Sequence, residues 1–286
     1  MQKENIVELE TKLPKAVTRP LILDYESRLK NQQNEDRKFI TALARGLEVL
    51  RAFQSCIGPM SNKDLSDATG IPKPTITRLT YTLMELGYLK QSSRNGKYEL
   101  GPGVLSLGYP LLSGSRIRHV AHEHMAELAK RGNCTVALAM RDQLNMVFID
   151  EFCGNTSTTL RIDVGARIGI AKSAIGRAYL AGISDEQRES LFARLQEVHK
   201  EEWPHLKSRV MDAIQQIQER GFCLVDREWR KGTRTVAAPL VSPDGKTIMS
   251  MSCGGPTFSV SIESLEQDLG PRLVHICQTD SIFLGN

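Results

Sequence analysis

Residues 73–82 carry the side chains best suited to chemistry with a partner: Lys73, Thr75, Thr77, Arg78, Tyr81 and Thr82. Lysine and arginine donate to phosphate oxygens or guanine acceptors. Threonine hydroxyls reach phosphates or base edges, and threonine methyls touch thymine methyls. Ser61, Arg94 and Lys97 flank the run and add further donors. This is recognition chemistry, and the signatures of bond-breaking are missing: the chain has no G-x-S-x-G, P-loop or G-x-G-x-x-G. Two other groupings compete for a chemical role. His119 and His122 lie three apart and share a helix face, but His124 leaves that stripe, and no cysteine or carboxylate joins them at metal-ligand spacing. Solvent-facing or interdomain histidines are therefore the expectation, with no metal and no cofactor. Asp226 and Glu228, two apart on a strand, would share a face, a spacing common to salt-bridge partners and acid–base pairs alike. An enzyme acting on a small acid stays open as an alternative, as does an adaptor without sequence-specific DNA binding.

The elements that must position the first group are legible. Ile76, Leu79, Leu83 and Leu86 form a buried stripe on a helix that begins near residues 72–75 and ends at Gly87, so the candidate contacts face outward. A shorter helix precedes it. Ser61 with Asp64 three residues on forms a capping box, Leu65 and Ala68 face inward, and Gly70 terminates it. Before that, Ile40, Leu43, Leu47, Leu50 and Phe53 place one apolar stripe on a helix over 39–53. Two short strands, 88–91 and 97–100, flank Asn95-Gly96, a strong hairpin turn. Helix, tight turn, helix and hairpin over 37–101 make a winged helix-turn-helix, whose second helix enters the major groove of double-stranded DNA and whose hairpin lies along the backbone.

Charge supports this placement. The net charge is +4; residues 36–100 hold ten basic and six acidic side chains, whereas 1–35 and 101–286 are each balanced. Residues 1–36, with Pro14 and Pro20 and short apolar runs, read as a flexible extension. Residues 102–131 read as linker helices. Residues 116–286 read as a second domain, α+β with an antiparallel sheet, in which 158–164 is one candidate strand. Six scattered cysteines without a C-x-x-C pair suggest reduced, mostly buried thiols. No apolar run approaches a membrane span, and residues 1–10 lack a signal-peptide core, so a cytoplasmic protein without membrane contact is expected.

The ordered blocks carry a resemblance. The segments 44–50 (ARGLEVL), 65–72 (LSDATGIP), 85–89 (ELGYL), 98–101 (YELG) and 105–108 (LSLG) resemble the isocitrate lyase regulator (IclR) family. So do 164–165, 173–178 (SAIGRA), 220–222 (RGF), 225–228 (VDRE) and 232–237 (GTRTVA), and together the blocks span about residues 39–283 in order. The resemblance implies a bacterial repressor or activator. It would be a homodimer or tetramer joined through the winged-helix region, with a GAF/profilin-like C-terminal domain that binds a small organic acid. Pro72-Lys73-Pro74 departs from the family at the start of the recognition helix, where two prolines remove amides that could bind phosphate.

The resemblance also implies an effector cavity beside the helix that begins at Ser173, Ala174 and Ile175. Asp226 (or Val225), Thr233, Thr235, Ser252 and Gly254 stand on nearby strands, with Leu160 and Ile162 as apolar walls. A helix N-terminus suits a carboxylate, because its first amides lack partners and its dipole is positive there. Val225 and Gly254 occupy positions that are polar in the family, so the ligand's identity does not transfer.

Overall fold

The computed structural model describes residues 39–55, 58–92, 96–154 and 162–284. The extension expected over 1–36, the wing-tip Arg94 and the wall residue Leu160 lie outside them. The chain divides into two compact units between Ser113 and Gly114.

The N-terminal unit runs α1 (Thr41–Ala52), α2 (Asn62–Thr69), α3 (Lys73–Glu85), β1 (Leu89–Gln91), β2 (Tyr98–Leu100) and α4 (Pro102–Ser113). Ser61 Oγ accepts from the Asp64 amide at 3.1 Å while the Asp64 carboxylate accepts from the Ser61 amide at 2.8 Å, a reciprocal cap. Gly70 closes α2 at φ +71°, a left-handed turn that favours glycine. Val49, Phe53, Leu65, Ile76, Leu83, Leu89 and Tyr98 form one core. Met60 bridges to Tyr98 through two backbone bonds, fastening the α2 approach to the hairpin.

Three expected core contributions are corrected here. Ile40, Leu43 and Leu47 are 65%, 61% and 47% exposed, and α1 turns Val49 and Ala52 inward instead. In α2 the buried partner of Leu65 is Thr69, with Ala68 outside, and Leu86 beyond α3 is exposed. Periodicity identifies an apolar face but not what covers it. The apolar stretch 103–113 forms the helix α4, none of whose residues is buried.

The second unit opens with α5 (Arg116–Gly132) and continues β3 (Thr135–Asp142), β4 (Asn145–Cys153), β5 (Arg167–Gly169), α6 (Ala174–Gly182), α7 (Asp185–His199), α8 (Trp203–Arg220), β6 (Cys223–Asp226), β7 (Thr233–Val241) and β8 (Ile248–Pro256). A short α9 (Ile262–Ser264) passes through a π turn into α10 (Gly270–Asp280). The strands form an antiparallel sheet in the order β5-β4-β3-β8-β7-β6. Ala137, Ala139, Met146 and Phe148 pack with Ile175, Tyr179 and Leu180 of α6, and with Phe192, Trp203 and Leu206 of α7 and α8. The strand expected over 158–164 does not form at its described end: residues 162–166 are loop and turn, and β5 begins at Arg167.

Candidate functional site

In the N-terminal unit the buried side of α3 is Ile76, Thr80 and Leu83. Lys73, Thr77, Arg78, Tyr81 and Thr82 are exposed on its other side, and Thr75 is half-buried. The hydroxyls are partly engaged. Thr77 Oγ1 donates to the Lys73 carbonyl at 3.0 Å, and Thr82 Oγ1 donates to the Arg78 carbonyl at 3.1 Å. Thr77 Oγ1 also accepts from Asn62 Nδ2 at 3.3 Å, so Thr77 presents mainly its methyl group outward and Thr82 an acceptor oxygen and a methyl group. Ser61 Oγ is taken up as an acceptor by its cap, which leaves its proton for a phosphate. Pro72 O accepts from the amides of both Thr75 and Ile76, at 2.9 and 3.0 Å, and Pro74 has no amide. Backbone capture of phosphate at this helix start thus reduces to the Lys73 amide. On the hairpin, Lys97 reaches Asp64 at 3.8 Å.

In the second unit the sheet register builds a row across four strands. Thr135 pairs with Gly254, Gly254 with Thr235, and Thr235 with Val225. Directly opposed residues share a face, so all four line one side of the sheet. The parallel row below them is Ala137, Ser252, Ala237 and Cys223. Over this floor the start of α6 (Ser173, Ala174, Ile175) closes a narrow, partly open cavity. Ile162, Thr233, Thr235, Ser252 and Gly254 line it too, so the structure gathers these expected residues around one space. A side chain at Gly254 would overlap the Arg234 carbonyl and meet Thr235 Oγ1 at 2.8 Å, which explains a glycine in the middle of the row.

Asp226 is corrected. It pairs with Arg234 in register and accepts from Arg234 Nε at 2.7 Å, on the face opposite the cavity, whereas Val225 faces in. Strand alternation permits only one of two neighbours on a given side. Sequence reasoning missed Thr135, Phe148, Ile168 and Trp229, all of which line the cavity. Thr135 and Phe148 are legible only from the strand register. Trp229, in an Arg/Lys-rich segment between strands, carried no apolar pattern at all.

Ser173 Oγ donates to the Gly169 carbonyl at 2.9 Å and accepts from the Gly176 amide at 3.2 Å. Its hydroxyl is thus a helix cap. The first intrahelical bond runs from the Arg177 amide to the Ser173 carbonyl, so the amides of Ala174 and Ile175 have no acceptor within the helix. Behind them Arg177, almost fully buried, donates to the Ala171 carbonyl at 3.0 Å and to Glu228 at 2.6 Å; Arg209 reaches Glu228 at 2.9 Å. Burial raises the Glu228 pKa, but the two guanidiniums outweigh it and hold the carboxyl below its ordinary value.

The histidines disperse: His122 Nδ1 stands 3.5 Å from Asp150 and its ring meets Phe152 edge-on, while His124 Nδ1 lies 3.0 Å from buried Asp280. Among the described residues no group of three or more His, Cys, Asp or Glu could hold a metal ion, and no helix is long and apolar enough to cross a membrane.

Comparison with known proteins covers both units. A profile described as the IclR helix-turn-helix domain matches residues 42–93, and one described as bacterial transcriptional regulator IclR C-terminal matches 110–278. The chain is 29% identical to the HTH-type transcriptional regulator TsaQ1/TsaQ2 of Comamonas testosteroni, over 86% of this chain and 89% of that protein. It is 27% identical to the Pca regulon regulatory protein of Pseudomonas putida, over 84% and 82% of the two chains. Among solved structures, an IclR family transcriptional regulator from Brucella abortus superposes with a TM-score of 0.79 at 40% identity, covering 87% of this chain and 94% of that one. These relatives are regulators of transcription, and no enzyme signature competes with them.

Proposed function

Since the chain belongs to the IclR family of bacterial transcriptional regulators, we propose that it reads a near-palindromic operator as a dimer or tetramer and changes activity on binding a small organic acid. The observation that carries the DNA half is the exposed row Lys73, Thr77, Arg78, Tyr81 and Thr82 on the free side of α3. Arg78 is the bidentate base reader, and the other five α3 residues, with Ser61, Arg94 and Lys97, hold phosphates or touch methyl groups. The sensor half rests on the start of α6, Ser173 to Ile175, lining the cavity, because the first amides of a helix suit a carboxylate. Thr233, Thr235 and Ser252 supply hydroxyls, and Ile162, with Leu160, forms apolar wall. Residues 102–131 carry the state of the sensor to the DNA-binding unit, so that effector binding favours one spacing of the two recognition helices. The protein acts in the cytoplasm, where its DNA is.

The test is fluorescence anisotropy with DNA from the region upstream of its own gene. Arg78→Ala should weaken specific binding by about 1–3 kcal/mol and leave the salt dependence of nonspecific binding nearly unchanged. Equal specific affinity in the two proteins would remove Arg78 as the base reader.

A further inference from the structure

We propose that the indole N–H of Trp229 is a specificity donor of the sensor cavity, selecting acids that carry a second hydrogen-bond acceptor over plain acids of the same shape. The inference rests on the reading of that cavity as an acid site. Trp229 lines the cavity, yet its Nε1 is shut off from solvent and has no acceptor among the described residues. Buried indole donors usually find a partner, because leaving one unpaired costs about 1–3 kcal/mol.

The side chain is held where it is. Glu228, immediately before it, is gripped by Arg177 of α6 and Arg209 of α8. Arg230, immediately after it, lies with its guanidinium 4.8 Å from the centre of the indole ring. The Arg230 carbonyl accepts from both the amide and the hydroxyl of Thr233, at 3.0 and 3.1 Å. The contacts of both neighbours hold the segment that carries the indole against α6, α8 and the start of β7.

An acceptor must then arrive with the ligand. The amides at the start of α6 are the carboxylate's partners, so the indole addresses a different atom: a hydroxyl, keto, ether or ring-nitrogen acceptor. Phe148, Ile168 and Val225 nearby offer only apolar contact. A plain acid would leave the donor unpaired on binding, and a site built around a hydrogen bond discriminates strongly against the analogue lacking it. The same loop ties recognition to α6: Glu228 bridges Trp229 to the helix whose first turn faces the carboxylate.

Calorimetric titration of the full chain tests this with matched probes: benzoate against meta- and para-hydroxybenzoate, and butyrate against gamma-hydroxybutyrate. In the wild-type protein at least one hydroxy acid should bind about tenfold or more tighter than its parent, the gap one well-made hydrogen bond supports. Trp229→Phe keeps an aromatic ring beside Arg230 and removes the donor together with one ring of the indole. It should shrink that gap to near unity, whatever the change in cavity shape does to the parent acid's own affinity. A gap that persists in Trp229→Phe, or no gap in the wild type, overturns the assignment of Trp229 while leaving the acid site standing. Folded wild-type protein that takes up none of the acids sinks the acid-site reading, and this inference with it. Should Trp229→Phe fail to fold, indole ¹⁵N–¹H spectra of the wild type decide. One of the two tryptophan signals should move downfield with a bound hydroxy acid and not with its parent; no such movement refutes the proposal.

Discussion

Glu228 is where three elements of the second unit meet, and its electrostatics yield a sign that can be checked. The carboxyl's folded-state pKa is depressed because Arg177 and Arg209 stabilise the charged form more than burial disfavours it. For a depressed carboxylate the stabilisation is fully present above the unfolded value, about 4.3. It is lost as pH falls through the lower folded value. Thermal melts of the wild type and Glu228→Gln should therefore differ at neutral pH and converge as the medium is acidified below about pH 4. A constant gap across that range would mean that the carboxylate's charge is not what the two arginines hold. The charged residues around Trp229 were all visible in the sequence; that Asp226 turns to Arg234 while Glu228 turns to Arg177 was not.

At the scale of elements, α6 depends on a close approach that one residue permits. A methyl group on Gly176 would overlap the backbone carbonyl and Cα of Ile170, atoms that cannot move aside as a side-chain tip would. Gly176→Ala should cost about 1–3 kcal/mol, the usual penalty of overpacking, read by urea denaturation. Because it pushes the first turn of α6 away from the turn at Ile170, it should also weaken carboxylate binding by more than it changes operator affinity in the absence of ligand. A stability equal to wild type would show that the helix relaxes without strain. The α2 cap at Ser61, the glycine stop at Gly70 and the hairpin around Gly96 were legible because short-range chemistry decides them. Periodicity held only in part for the expected stripe of the first helix: Phe53 is buried and Leu50 packs against the core, but Ile40, Leu43 and Leu47 lie outside. An apolar face has the same pattern whether its partner lies in the same chain or in another.

That unfilled stripe matters at the scale of the whole molecule. Leu105, Leu107, Tyr109 and Leu111 of α4 are 75%, 61%, 65% and 58% exposed, and Ile40, Leu43 and Leu47 add to the apolar surface of the same unit. So many exposed large apolar side chains on one small unit suit an association surface. A second copy of the chain is the occupant the proposed regulator requires. Leu107→Glu should shift sedimentation toward the monomer at micromolar concentration and lower specific operator affinity with it, since one recognition helix reads only half a palindrome. Unchanged sedimentation would place the subunit contact elsewhere.

The sequence by itself determined what lies close along the chain: the capped helices, the tight turn, the hairpin, the outward row on α3 and the identity of the helix start at Ser173. It also carried the family, through blocks whose order survives across both units. Only the tertiary structure decided what depends on contacts distant in sequence. The register that aligns Thr135, Gly254, Thr235 and Val225 comes from four strands more than a hundred residues apart at the extremes, and a shift of one residue would have turned each to the other face. The same long-range pairing sent Asp226 away from the cavity and brought Trp229 to it. Strand alternation is local, but which face becomes the floor of a pocket is set by what packs over it.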